Sequence, residues 1–528
     1  MRSPQIRNGG EREVEWQFDA ADLSAVRTWC LSSSLPSPLR AAAPVQRQIG
    51  DVYLDSDDWR VYRSRYALRL RSSEGRITAT LKSFGEASGA LRKRVEISER
   101  VTTAEPGTLL DAPGPVGERL RALGVHSLRP LFELRMLRQA LPVEASGAVA
   151  GEIALDTSAV LVGGRRVSGH LQRVEVEVAE GYEATLQLLV DALQEDCAIQ
   201  PATRSKYEFG LELAGLRPLV DRDLAPRRGL PEGSVGEVAF ATLREQWRSL
   251  LEEEPGTRLG DDVETLHRMR VQVRRLRAAL RLFQRCLPGE SAALRRELRW
   301  LGAELGAVRD ADVQLEQLEA WQEAAGAGER AAFESLRPLL EAERRVARAE
   351  MLQSLNSERY TRLGAGMTDL VREGPARAPA AALTPAREAL PGLLRPYLRA
   401  VRRQGDAIAG DSPASEYHAL RIRGKRLRYA LECMSDEYGR AAKRLARALR
   451  RLQEVLGAHQ DAAVAIKRLR VIAEEEGTEL PPRTVLAMGE VLERYRVQML
   501  ELRVAFPSAY ARVRGERWRT LRAALQES

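Results

Sequence analysis

Glu13-Val14-Glu15-Trp16-Gln17-Phe18 places Glu13, Glu15 and Gln17 on one side of an extended chain and Val14, Trp16 and Phe18 on the other. The same division recurs downstream. Arg69 and Arg71 share a face, as do Thr78, Thr80 and Lys82, while Arg92, Arg94 and Glu96 oppose Val95 and Ile97. Glu133 and Arg135 oppose Leu134 and Met136, Glu152 aligns with Asp156, and Arg173, Glu175 and Glu177 oppose Val174, Val176 and Val178. Runs of period two separated by Gly, Pro and Ser predict an antiparallel sheet over residues 11–213. A single strand of this kind would be an ordinary half-solvated strand. Clustered carboxylates alternating with clustered guanidiniums point further, because closure into a barrel would turn those faces into one lumen of both signs. Such a lumen suits a divalent cation on the glutamates and a phosphate chain on the Arg and Lys groups, hard oxygen ligands favouring Mg²⁺ or Mn²⁺. Residues 28–48 and 141–151 read as loops.

Beyond residue 234 the apolar period becomes helical and Ala, Leu, Arg and Glu dominate. The join, Leu216 to Ser234, is rich in Pro and Gly, and Ser234 is a candidate N-cap. A chain of 528 residues with 44% hydrophobic and 30% charged residues supports several packed domains and excludes wholesale disorder. Its formal net charge of +8 is uneven: residues 1–215 hold 27 basic and 29 acidic side chains, leaving 55 and 45 beyond. The helical part is thus the polyanion-attracting part. No apolar run is long enough for a signal segment or membrane helix, so a cytoplasmic protein is expected. Cys30, Cys197, Cys286 and Cys433 are isolated and suggest reduced thiols rather than disulfides or a zinc site.

The helical part repeats itself at an offset of 151 residues. Leu266-His-Arg-Met-Arg-Val-Gln-Val-Arg-Arg-Leu-Arg aligns without gaps on Tyr417-His-Ala-Leu-Arg-Ile-Arg-Gly-Lys-Arg-Leu-Arg, and Leu305-Gly-Ala-Val-Arg-Asp-Ala-Asp-Val on Leu456-Gly-Ala-His-Gln-Asp-Ala-Ala-Val. Two matches at one offset imply two copies of one helical unit. His267, Arg270, Arg274 and Arg277 lie along one helix face, and His418, Arg421, Lys425 and Arg428 repeat the spacing. Seven arginines and no acid stand between Thr265 and Gly289, so a partner anion is expected. Phe283 is the only aromatic in that stretch, which disfavours nucleic acid, whose bases need stacking platforms, and favours a bare phosphate chain.

The N-terminal series resembles the CYTH family of triphosphate tunnel metalloenzymes over residues 10–213. The family's opening ExExK stands here as Glu13-Val-Glu-Trp-Gln17, with Gln17 where lysine is expected, followed by Tyr53-Leu-Asp-Ser, Leu68-Arg-Leu-Arg, Thr80-Leu-Lys, Arg94-Val-Glu, the Arg135 run, Leu155-Asp, Glu175-Val-Glu and Ser205-Lys-Tyr. The resemblance implies an eight-stranded antiparallel tunnel that hydrolyses or cyclises triphosphates with Mg²⁺ or Mn²⁺. Glu13, Glu15, Glu175 and Glu177 would hold metal, with Asp156 as a further ligand or support. Arg69, Arg71, Lys82, Arg94, Arg135 and Lys206 would cradle phosphates, and Glu13, Glu15 and Lys82 would be catalytic. Gln17 removes one positive charge from the substrate face.

The second half resembles the CHAD family, conserved-histidine α-helical domains, over residues 234–525, through its doubled His-x-x-Arg-x-x-x-(Arg/Lys) helices. That implies two pseudo-symmetric helical bundles facing across a basic cavity that binds inorganic polyphosphate. Asp310 and Asp461 are expected as helix starts or as anchors for nearby arginines. The expected layout is a tunnel domain at 10–215, a linker at 216–233 and a helical domain at 234–525, with halves near 234–373 and 383–525. The expected activity is hydrolysis of inorganic triphosphate in the cytoplasm, in association with polyphosphate granules. The alternatives are a polyphosphate-binding protein without turnover, and a thiamine triphosphatase or class IV adenylate cyclase-like activity.

Overall fold

A computed structural model describes residues 11–32, 35–218, 224–324, 327–475 and 480–525. Residue 10, residues 219–223 of the expected linker and the first residues of the chain lie outside them. Two compact units follow one another, one built on strands and one on helices.

The strands are β1 (Glu11–Ala20), β2 (Leu39–Ala41), β3 (Val45–Asp55), β4 (Tyr66–Ser73), β5 (Arg76–Ser83), β6 (Glu86–Ser88), β7 (Leu91–Val101), β8 (Arg129–Ala145), β9 (Ala148–Val162), β10 (Arg165–Val178) and β11 (Ile199–Pro201). Around them run α1 (Leu23–Cys30), α2 (Arg60–Arg63), α3 (Thr108–Asp111), α4 (Pro115–Ala122), α5 (Glu183–Asp196) and α6 (Lys206–Leu213). Eight strands close in the order β1, β10, β9, β8, β3, β4, β5, β7, with β7 pairing back onto β1. Every pairing is antiparallel, so the expected closed eight-stranded barrel is present. The expected loop at 28–48 contains β2 and the start of β3, and the expected loop at 141–151 is largely strand, β8 and β9 joining through a two-residue turn at Ser146 and Gly147. Both turn residues have positive φ, which matches the twist of the flanking strands.

The barrel is inverted relative to an ordinary sandwich. Trp16 and Phe18 point outward against Val26 of α1 and Leu186, Leu189 and Leu193 of α5. Leu68, Leu70, Leu81 and Ile97 do the same against Val116 and Leu120 of α4. Each such buried side chain contributes about 1.5–3 kcal/mol, so the outer shell stabilises the barrel and frees the lumen for charge.

The helical unit comprises α7 (Val235–Leu259), α8 (Val263–Leu282), α9 (Ser291–Ala324), α10 (Ala327–Phe333), α11 (Leu336–Leu355), α12 (Glu358–Glu373), α13 (Ala386–Ala407), α14 (Ala414–Cys433), α15 (Ser435–Glu475), α16 (Pro482–Arg514) and α17 (Glu516–Ala524). Ser234 Oγ accepts from Glu237 N at the start of α7, and Asp262 caps α8 through Glu264 N. α15 is kinked at Gly439, whose φ of 48° suits a residue without a Cβ. Met269, Leu276 and Leu305 share one core with Leu420, Leu427 and Leu456, their counterparts 151 residues on. No helix among the described residues is long and apolar enough to cross a membrane, and the four cysteines are free.

Candidate functional site

Strand register decides which side chains meet in the lumen. Glu15 pairs with Glu177 and Gln17 with Glu175 across β1 and β10, and Glu13 pairs with Arg94 across β1 and β7. Arg173 faces Asp156, which in turn faces Arg138. The resulting cavity is about 680 Å³, lined by nine cationic and six acidic side chains.

Three carboxylates, those of Glu13, Glu15 and Glu177, bring one oxygen each within 4.8 Å of one another. Glu15 is 1% exposed, and its Oε1 takes donors from Gln17 (3.0 Å) and Arg94 (3.3 Å) with Lys82 Nζ at 3.1 Å. Its Oε2 is buried without a hydrogen-bond partner among the described residues. Burial, reinforced by the Glu15 and Glu96 charges and opposed by Lys82, pushes the Glu13 carboxyl up to about 7. Burial also raises Glu177, with Arg138 opposing. Lys82 sits 2.6 Å from Glu13; burial works against its charge, but Glu15, Glu13 and Glu96 outweigh it and hold it protonated.

Glu175 and Asp156 belong to a different set. Asp156 is fully buried, takes both Nε and Nη2 of Arg138 (2.9 and 2.8 Å) and lies 2.5 Å from Lys206. Glu175 accepts from Arg138 and lies 2.8 Å from Lys206; burial would raise its pKa, yet Lys206, Arg138 and Lys82 hold it well below the usual carboxylate range. These two acids anchor cations and stand apart from the three-carboxylate cluster. Gln17 joins the sets, its Nε2 donating to Glu15 Oε1 and, at 3.1 Å, to Glu175 Oε1.

Arg69, Arg71, Lys82 and Arg94 line the cavity as expected from the alternation, and Lys206, at the start of α6, as the resemblance implies. Arg135 does not: its side chain is 67% exposed on the outer face and its Nε donates to Glu133. The lumen face of β8 carries Leu134, Met136 and Arg138 instead, as the pairing of Leu134 with Val160 and Arg138 with Asp156 requires. Here one end of the interior is filled by Tyr53, Phe132, Leu134 and Tyr207, so the rule of charge inside reverses locally. Arg138, three residues beyond Arg135, lies on the opposite face of β8, the one the alternation reads as outward, so the alternation missed it. Asp51, buried with Arg71 on both oxygens at 2.8 Å and Arg69 at 3.7 Å, was hidden in an otherwise apolar run. Asp55 of the Tyr53-Leu-Asp-Ser stretch is a turn anchor, accepting from Ser56, Val61 and Tyr62 backbone N–H groups.

In the helical unit α8 and α14 are joined by Arg275 and Glu432 at 3.6 Å. Arg274 and Arg270 bear electrostatically on Arg421, so the two stripes face each other. Gly306 and Gly457, 151 residues apart, make room for corresponding guanidiniums: a Cβ there would stand 3.5 Å from Arg270 Nη2 and 3.9 Å from Arg421 Nε. Arg270 donates to Asp310 at 2.9 Å and Arg428 to Glu432 at 2.7 Å. Asp310 lies inside α9 and Asp461 inside α15, so neither is a helix start; Asp310 anchors Arg270, while Asp461 bears on Arg421 and Lys425 through its charge. Arg274 Nε, Arg421 Nε and His418 Nδ1 are buried without hydrogen-bond partners. Burial, together with Arg421, Arg274 and Arg428 and against Asp461, pushes Lys425 down to about 7. Burial and the Arg309 charge lower His267. Arg277 feels Arg299, Arg295 and Arg426 beyond its own burial.

The model of the CYTH domain matches residues 25–207 and that of the CHAD domain residues 241–470. No curated protein matches the chain. Among solved structures, the CHAD domain from the plant Ricinus communis is 29% identical over 54% of this chain and 96% of its own, with a TM-score of 0.44. PptA from Streptomyces chartreusis is 24% identical over 52% of this chain and 99% of its own, with a TM-score of 0.43. A putative adenylyl cyclase from Hippeastrum, described as having a dominant triphosphatase activity, is 21% identical over 39% of this chain and 97% of its own, at 0.30. Through its two matched segments the chain is a CYTH domain followed by a CHAD domain.

Proposed function

We propose that the barrel unit is a metal-dependent triphosphatase acting on inorganic triphosphate, and that the helical unit binds inorganic polyphosphate. The observation that carries the first half is the unpartnered, buried Oε2 of Glu15, set among Glu13 and Glu177 beside a cation-lined cavity. A buried carboxylate oxygen without a partner is costly, and three hard oxygen donors within 4.8 Å fit Mg²⁺ or Mn²⁺. Glu13, Glu15 and Glu177 would hold the ion. Bound there, it would polarise a phosphoryl oxygen and make a water more nucleophilic. Arg69, Arg71, Arg94 and Lys82 then supply charge-assisted hydrogen bonds to the phosphate chain, strengthened by exclusion of water. Arg138 and Lys206 are held by Asp156 and Glu175, so in this reading they shape the cavity as much as they bind substrate. Gln17 orients two carboxylates without adding charge.

The second half rests on the facing stripes, where Arg274, Arg421, His418 and Lys425 lack carboxylate partners at bonding distance among the described residues. A phosphate chain between α8 and α14 would relieve that repulsion, and would bring the enzyme to polyphosphate granules in the cytoplasm. A second reading, a tunnel that binds phosphate without cleaving it, is favoured by the ion pairs already satisfying Lys82, Arg138 and Lys206. Phosphate release from inorganic triphosphate, with and without Mg²⁺ or Mn²⁺, beside ATP, thiamine triphosphate and long-chain polyphosphate, separates the two. Fast metal-dependent release from triphosphate is expected; no release with retained polyphosphate binding would leave only the second reading.

A further inference from the structure

The helical unit has a second concentration of arginine outside the facing stripes. A cleft of about 350 Å³ between α15 and α17 is lined by Arg444, Arg447 and Arg451 from one helix and Arg517 from the other. Residues 444, 447 and 451 share a face of α15, whereas Gln453, which accepts from Arg428 of the α14 stripe, lies on the opposite side, and Asp461, whose charge bears on Arg421, stands ten residues farther along the helix than Arg451. Glu516 is the one acid in the lining. Among the described residues no ion pair holds any of the four arginines. The bonds given for them go to backbone carbonyls, Arg447 to Lys443 and Arg517 to Arg512.

The first repeat shows how such a place looks when it is closed. At 151 residues' distance, Arg444 corresponds to Ala293, Ala448 to Glu297 and Arg451 to Trp300. There Glu297 accepts from Arg359 at 2.5 Å, and the Arg359 guanidinium lies 4.2 Å above the Trp300 ring. One copy therefore neutralises and stacks its arginine. The other has lost both the acid and the aromatic and gained two arginines around a floor of Ala441, Ala448 and Thr520. Like charges at helical spacing are destabilising by a few tenths of a kcal/mol per pair, and among the described residues no ion pair offsets them here.

We infer that the cleft between α15 and α17 is a second, separate oxyanion site that takes the phosphates of a short phosphoanhydride chain. Planar guanidiniums converging from two helices match the tetrahedral oxygens of phosphate. The lack of an aromatic platform, at the very position where the first repeat has Trp300, favours a bare chain over nucleic acid. The inference does not rest on the stripe between α8 and α14.

The test is calorimetric titration of the full chain with pyrophosphate and with tripolyphosphate at low salt, in metal-free buffer. Three variants are compared with the parent: Arg447→Gln/Arg451→Gln, Thr520→Glu, and Arg274→Gln/Arg421→Gln. The first two should weaken one site about tenfold or more, from loss of charged hydrogen bonds or their capture by the new carboxylate, while the third leaves that site unchanged. Thr520→Glu replaces an exposed residue of the cleft by a better helix former, so it keeps the test alive if the double variant folds poorly. A cleft titration identical to the parent's in both variants overturns the site. Loss of the site only in Arg274→Gln/Arg421→Gln assigns all binding to the stripe and also overturns it. Displacement by single-stranded RNA more strongly than by tripolyphosphate, at equal phosphate, overturns the phosphate-chain assignment.

Discussion

The lumen of the barrel and the facing stripes of the helical unit are both rich in cations, yet they are built on opposite principles. In the lumen nearly every cation has an acid beside it: Lys82 has Glu13 and Glu15, and Arg138 and Lys206 have Asp156 and Glu175. Between α8 and α14 the cations face one another, and Lys425 has three arginines near it against one aspartate. A site that must hold a cation and an anion together can be pre-neutralised; a site for an anion alone keeps its charge in excess. The first is rigid and costly to disturb, the second strained until filled.

The largest effect should come from the acid set. Glu15→Gln is expected to lower metal-dependent phosphate release by about two orders of magnitude or more, with Mg²⁺ or Mn²⁺ affinity falling in parallel and polyphosphate binding intact. Retained turnover in that variant would remove the tunnel as the catalytic centre. Next is Asp156→Asn, which leaves Arg138 and Lys206 buried with one charge fewer. It should cost about 3–5 kcal/mol of barrel stability, read by denaturant unfolding. If the barrel loses less than about 1 kcal/mol, its lumen is not pre-neutralised in the sense argued here.

For the stripes, Arg270→Glu with Arg421→Glu should weaken polyphosphate binding by about a hundredfold and flatten its dependence on salt, measured by titration at several ionic strengths. Unchanged affinity would place the chain elsewhere. The smallest effect belongs to Lys425. In the free folded protein it loses its proton at about 7, whereas the unfolded chain keeps it into the ordinary lysine range near 10.5. Between those values the unfolded state binds more protons, so the helical unit gains stability as pH rises and loses it as pH falls toward 7. An anion favours the charged form, so polyphosphate affinity should instead fall as pH rises through about 7. Lys425→Arg, charged throughout, should remove that dependence; a slope that persists in it would assign the titration to another group.

Much of this was legible in the sequence, and the limits have physical causes. Period-two alternation from Glu13 onward put Arg69, Lys82, Arg94 and Glu175 on the charged faces of their strands, because a strand has only two faces, whereas closure of the sheet came from the family resemblance. The alternation failed at Arg135, where the barrel interior turns apolar and the inner face of β8 is Leu134 and Met136. The 151-residue offset gave the paired helices and the correspondence of Arg270 with Arg421, and the family resemblance implied that they face each other. The offset was silent on the cleft of Arg444 and Arg451, which arises where the two copies differ. Which acids cluster and which serve as anchors could not be read from alternation, since Glu175 and Glu177 share a face and are separated only by what lies across from them.

The pairing of β1 has a consequence for how the molecule assembles. That strand joins β7 about 80 residues away in sequence and β10 about 160 away, whereas the remaining barrel neighbours, apart from β3 with β8, follow one another closely along the chain. Long separations are slow to close, because the loop entropy is lost before the contact is won. During synthesis one edge of β1 can pair once β7 has emerged, but the other must wait open until β10 has followed, while the short-range helical pairs that come later can form as they appear. Glu13, Glu15 and Gln17 ride on this waiting strand, so the acid cluster comes into existence in the same event that seals the barrel, and a partly folded chain has neither.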